Sequence, residues 1–153
     1  MGEPEYPKIN ELKITVEGVE KLLRNLKVNK SPGPDDIPAR ILKELAHEIA
    51  PVLTHIFIQS LETGEIPEDW LKANIAPIYK KGNRNLAENY RPVSLTCICC
   101  KVMEHILCKH MLNHLDLHKI LTHLQHGFRS GYSCETQLLV TLHDLMTQNN
   151  KKD

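Results

Sequence analysis

Aromatic side chains are scarce: phenylalanine, tryptophan and tyrosine make up 5% of the 153 residues. A core with so few rings must rest on leucine, isoleucine and valine, which favours helices. No run of about 18 apolar residues occurs, so no membrane-spanning helix is expected. The opening MGEPEYPKIN has no apolar segment either, so no secretory signal or anchor is expected there. Tyr6 stands where a myristoylation signal requires Ser or Thr. The five cysteines are an odd number with no sign of secretion. That predicts reduced thiols and an intracellular protein, nuclear or cytoplasmic. Repeats and low-complexity tracts are missing as well.

What is present reads as a globular chain, 41% hydrophobic and 25% charged. The formal net charge is zero but unevenly spread. Residues 1–70 hold 13 Asp/Glu against 8 Lys/Arg, and residues 71–153 hold 6 against 11, with seven of the nine histidines. An anionic partner should prefer the second half; an ordinary solvated surface would show the same bias.

Residues 1–14 read as an extended lead, residues 15–150 as the folded part and residues 151–153 as a polar tail. Thr15 is placed to cap a helix reaching about Lys27, with Val19, Leu22, Leu23 and Leu26 at helical spacing. The prolines of NKSPGPDDIP break that pattern, and Pro38 opens a second helix carrying Ile41, Leu42 and Leu45. A third helix is expected from about Glu48, or from near Ala50 if Pro51 lies in its first turn. Its stripe is Ile49, Val52, Leu53, Ile56, Phe57 and Leu61, and Gly64 suits a left-handed stop. Asn74–Tyr79 and Tyr90–Leu95 read as two short strands, each interrupted by proline. Helix resumes from Ile98 to about Leu115. A loop spans Gln125–Tyr132, and Ser133 caps a last helix with Leu138, Leu139, Leu142, Leu145 and Met146. The fold class is therefore α+β, mostly helical, with one small antiparallel hairpin.

Four stretches carry candidate chemistry. In APIYKKGNRNLAENYRPVSL, Lys80, Lys81 and Arg91 occupy the arms of the hairpin and Arg84 its turn. Pairing would bring Lys80 or Lys81 across from the neighbourhood of Arg91, a repulsion that an anion would relieve. Lysine and proline are also ordinary guards of an edge strand. Asp35 and Asp36 of SPGPDDIP are adjacent acids, but among prolines they read as turn and cap chemistry rather than as metal ligands. CICCKVMEHILCKHMLNH crowds cysteine and histidine without the spacing of a zinc finger or zinc protease, and reads as a structural helix with buried thiols. In LQHGFRSGYSCETQLL, the rings and Arg129 could receive a base or phosphate, or Phe128 could tuck into the core.

Taken together, NKSPGPDDIPARILKEL, LETGEIPEDWLKANIAPIYKKGNRNLAENYRPVSLTCICCKVMEHIL and LQHGFRSGYSCETQLL resemble the reverse transcriptase of non-LTR (LINE-type) retrotransposons. The resemblance runs from about Lys8 to Asn150. It implies the fingers and the start of the palm of a right-hand polymerase. It assigns nucleotide binding to Lys80, Lys81 and Arg91, and template binding to Arg84, Gln125, Phe128 and Arg129. That family's chemistry also uses an aspartate in a DFSKAFD-like run and an aromatic-Ala-Asp-Asp turn, which together hold two Mg²⁺ ions. Neither run occurs here; Asp144 falls mid-helix and Asp153 in the polar tail.

The resemblance thus implies a truncated polymerase fragment, inactive alone, with no catalytic residue, metal site or cofactor of its own, Mg²⁺ serving the complete enzyme. Its expected partners are an RNA or DNA template and dNTP, bound weakly, the missing palm and thumb segments, and further copies of itself through the apolar last helix. No membrane partner is expected. The alternative is a non-enzymatic helical module that binds nucleic acid or protein.

Overall fold

In the computed structural model, which describes residues 7–149, Thr15 has an extended backbone and its hydroxyl accepts the Gly18 N–H at 3.1 Å. This cap starts α1, Val16–Arg24, which is shorter than its leucine pattern suggests: Asn25 ends it, its N–H shared among the last carbonyls. Pro38, with its fixed φ, precedes α2, Ala39–Glu44. One bent residue, Leu45, separates α2 from α3, Ala46–Thr63. Leu45 donates to the Ile41 carbonyl and accepts from Ile49, so the chain bends here without losing its hydrogen bonds. Residues 1–6, the outer part of the expected lead, and the tail 151–153 lie outside the described residues.

α3 therefore starts earlier than expected and holds Pro51 inside it. Proline removes one helical hydrogen bond. The carbonyl left over belongs to His47, an exposed residue that water can reach. The buried face of α3 also differs from the expected stripe. Ala46, Ala50, Leu53, Thr54, Phe57 and Ser60 point inward, whereas Val52 and Leu61 are exposed. Small residues permit close approach to α1, and the buried Thr54 hydroxyl donates to the Ala50 carbonyl at 2.7 Å. Gly64 closes α3 in the left-handed conformation, as its position suggested.

A 3-10 turn at Glu68–Leu71 leads into the hairpin. β1, Asn74–Tyr79, pairs antiparallel with β2, Tyr90–Leu95. Both strands match the sequence expectation. α4, Ile98–Leu117, follows β2, and α5, Cys134–Asn149, follows the loop after α4. Among the described residues no helix is long and apolar enough to cross a membrane.

The chain divides into two units. One is Glu11–His110; the other joins Met1–Asn10 to Met111–Asp153. The core lies in the first, where Val19 and Leu23 of α1, Leu42 of α2, Leu53 and Phe57 of α3, and Ile98, Val102 and Met103 of α4 are buried together. Trp70 packs on Phe57 with ring centres 5.7 Å apart. In the second unit, α5 shows Leu138, Leu139, Leu142, Leu145 and Met146 exposed.

Gly33 ties the proline loop to the base of the hairpin. It is buried, and a Cβ there would lie 2.4 Å from the Cys97 nitrogen. Only glycine lets two backbones approach this closely. The Cys97 thiol in turn donates to the Asp69 carbonyl at 3.3 Å. One buried residue thus joins the proline loop, the turn before β1 and the start of α4.

Candidate nucleic-acid interface

The hairpin register is Asn74↔Leu95, Ala76↔Val93, Pro77↔Pro92, Ile78↔Arg91 and Tyr79↔Tyr90. Arg91 thus stands directly opposite Ile78, and the nearest lysine lies across from its neighbourhood, as the sequence suggested. The Lys80 N–H donates to the Asn89 carbonyl at 2.8 Å, which extends the ladder by one pair. Alternation along the strands then sets Lys80 diagonally from Arg91 on one face. The same alternation makes Pro77↔Pro92 a non-hydrogen-bonded pair, so the missing N–H groups face the outer edges. Both edges are blunted against further pairing.

The opposite face carries Tyr79 and Tyr90, with ring centres 5.7 Å apart, edge to face. Their hydroxyls fasten the connecting loop: Tyr79 donates to the Gly82 carbonyl at 2.6 Å and Tyr90 to the Arg84 carbonyl at 2.8 Å. Asn89 adds a bond from its side-chain amide to the Asn83 carbonyl at 2.8 Å. The Arg84 guanidinium lies 4.9 Å from the centre of the Tyr79 ring. Arg84 therefore sits with the tyrosines, apart from Lys80 and Arg91. The sequence reading missed these tyrosines as loop fasteners, although they flank the turn symmetrically at the strand ends. Among the described residues, Lys80, Lys81 and Arg91 form no side-chain hydrogen bond or ion pair.

The loop before α5 distributes its groups differently. Arg129 is held on three sides: it bonds the Thr122 carbonyl at 3.1 Å and the Asp116 carboxylate at 3.3 Å, and stacks 4.7 Å from the centre of the Tyr132 ring. His126, buried, meets the Thr136 hydroxyl at 2.8 Å and the Tyr132 ring edge to face. Ser133 and Thr136 cap α5 reciprocally, each side chain accepting the other's backbone N–H. The Ser133 hydroxyl also holds the Glu135 carboxyl below its ordinary range. Phe128, between these anchors, is 98% exposed at φ +61°. A bulky residue rarely adopts that conformation. The option of Phe128 tucked into a core is not what the structure shows. Gln125 is exposed, its N–H bonded to the Thr122 carbonyl.

The remaining motifs make local contacts. Asp35 accepts the Ile37 N–H in a tight turn at 3.3 Å, and Asp36 takes a left-handed φ of +50°. Burial pushes the Cys97 thiol up, the Cys99 thiol to about 12 and the Cys100 thiol to about 11. The His114 and His118 rings meet tilted, with centres 4.6 Å apart. Among the described residues no group of three or more His, Cys, Asp or Glu is placed to hold a metal ion.

Comparison with known proteins gives these surfaces a context. The chain is 32% identical over 126 residues to the RNA-directed DNA polymerase from mobile element jockey of Drosophila melanogaster, a match covering 82% of this chain and 14% of that protein. It is 30% identical over 141 residues to the probable RNA-directed DNA polymerase from transposon BS of the same fly, covering 91% and 16%. Its homologues are the reverse transcriptases of non-LTR retrotransposons. A third relative, the probable RNA-directed DNA polymerase from transposon X-element of Drosophila melanogaster, is 28% identical over 126 residues, covering 82% and 14%. No protein-family model matches the chain. The chain matches a segment of a reverse transcriptase and spans 14–16% of the length of these relatives. The resemblance read from the three sequence blocks is thereby established. Within this reverse-transcriptase segment, the comparisons assign no role to the hairpin or to the loop.

Proposed function

We propose that this segment is the fingers region, with the start of the palm, of a right-hand RNA-directed DNA polymerase, and that residues 15–150 form that partial domain. Lys80, Lys81 and Arg91 grip the triphosphate of an incoming nucleotide, while Gln125 and Phe128 meet the template. One observation carries this reading: Lys80 and Arg91 share a hairpin face with no carboxylate partner. Unpaired cations on one surface serve anions, and arginine adds the planar fork suited to phosphate. Arg129 takes a positioning role, since it ties the loop that displays Phe128 back to Thr122 and to Asp116 of α4. Arg84 acts from the tyrosine face. Mg²⁺ would belong to aspartates outside residues 1–153, because neither aspartate-bearing run of the family occurs in them. A nuclear or cytoplasmic location fits five free thiols.

The protein-binding alternative draws on α5. Its exposed leucines favour association with a second copy or with a further polymerase segment.

Fluorescence anisotropy with labelled single-stranded RNA tests the main reading. Binding is expected at low salt with a Kd of about 10⁻⁴ to 10⁻⁶ M. Primer extension with dNTP and Mg²⁺ is expected to be absent. No binding at low salt would retire the nucleic-acid reading and leave protein association ahead.

A further inference from the structure

The unit Glu11–His110 contains a cavity of about 270 Å³ that neither the hairpin nor the loop before α5 uses. Leu22 and Leu26 of α1 and Ile98 and Val102 of α4 form its apolar wall. Lys30, Lys101 and His105 stand among its polar lining. No Asp or Glu lines it, although residues 1–70 are net acidic. Lys101 is half-buried and anchored, its ammonium donating to the Thr96 carbonyl at 2.9 Å. Two of the three hydrogens on that ammonium remain for another acceptor.

These features select the occupant. An apolar wall takes a hydrocarbon body, and a cationic rim takes an anionic head. No Phe, Tyr or Trp lines the cavity, and the single imidazole of His105 offers a nucleobase little to stack on beside four aliphatic side chains. Two lysines beside a half-open aliphatic slot fit a carboxylate on a short hydrocarbon tail. We propose that this cavity binds a medium-chain aliphatic carboxylate, with the tail against Leu22, Leu26, Ile98 and Val102 and the carboxylate at Lys30 and Lys101. The proposal is independent of the polymerase reading, because it involves none of the residues assigned to nucleotide or template.

Methyl NMR on the full chain tests it with octanoate, butyrate, 1-octanol and dAMP as probes. Octanoate should shift the Ile98 and Val102 methyl signals saturably. From butyrate to octanoate the affinity should rise by up to about fourfold per methylene, the factor equivalent to burying one CH₂. The Lys30→Gln/Lys101→Gln variant should lose about tenfold in octanoate affinity and none in 1-octanol affinity. Three results would overturn the proposal: dAMP shifting the same methyls as strongly as octanoate, octanoate and 1-octanol binding equally, or octanoate shifting only the leucines of α5. Should the double variant misfold, the ligand series on the unaltered chain decides alone.

Discussion

The hairpin Asn74–Leu95 and the loop Gln125–Tyr132 use the same residue types in opposite ways. In the hairpin the rings are tied and three of the four cations are free: both tyrosine hydroxyls are spent on the connecting loop and Arg84 rests on the Tyr79 ring, while the side chains of Lys80, Lys81 and Arg91 have no partner among the described residues. In the loop the cation is tied and the ring is free: Arg129 is braced by Asp116, Thr122 and Tyr132, while Phe128 stands in solvent. One surface is prepared for charge and the other for stacking. A list of basic and aromatic residues would score the two alike.

The strongest way to break the comparison is to dislodge one member. Gly33→Ala forces a Cβ against the Cys97 backbone, which cannot move without disturbing the base of the hairpin. Denaturant unfolding should show a loss of about 3 kcal/mol. Hydrogen exchange should rise in residues 74–95 more than in residues 122–133. Equal loosening of both regions would show that Gly33 does not act on the hairpin in particular.

Phe128 and Arg129 sharpen the contrast within the loop. Phe128→Ala should weaken single-stranded RNA binding by about 1–3 kcal/mol, the range for one lost stacking partner. It should not lower stability, since the ring buries nothing, and Phe128→Gly should raise stability by about 1 kcal/mol by relieving the left-handed backbone. Arg129→Ala should do the reverse, costing about 1–2 kcal/mol in thermal unfolding by removing an ion pair, a carbonyl bond and a ring contact. If Arg129→Ala weakens RNA binding while the melting temperature stays put, Arg129 touches the ligand and the brace reading fails.

Much of this was legible in the sequence, and the reasons are local. The Thr15 and Ser133 caps, the Gly64 stop and both strand spans follow from side chains acting on their own neighbourhood. What was not legible depended on partners distant in sequence. The exposed Val52 and buried Ser60 of α3 reflect which side α1 covers, a choice that leucine spacing does not encode. Pro51 lies inside α3 because the helix begins at Ala46, a start set by packing that the position of the proline does not reveal. The brace on Arg129 was not legible because its partner Asp116 lies 13 residues earlier and carries no motif. At the hairpin the two strands were evident, but the register that sets Arg91 directly opposite Ile78 was not.

The smallest expected effect separates the thiols near each region. Cys97 and Cys99, just after β2, are buried, Cys99 within the helical core, whereas Cys134, at the start of α5, is exposed. A thiol raised to about 12 stays protonated at pH 8 and reacts slowly with Ellman's reagent. Cys134 and Cys108 should therefore label first, with Cys99 following only on unfolding or at much higher pH. Early labelling of Cys99 in folded protein would place it closer to solvent than the structure does.

The salt dependence of single-stranded RNA binding tests the division of labour most directly. Each phosphate contact on a single strand contributes about 0.7 to the slope of log affinity against log salt. If Lys80 and Arg91 hold phosphate, Lys80→Glu/Arg91→Glu should weaken binding and flatten that slope by at least about 1.4, the equivalent of two contacts. Phe128→Ala should weaken binding with the slope unchanged. An unchanged slope in the Lys80/Arg91 variant, or an equal flattening in Phe128→Ala, would contradict the account.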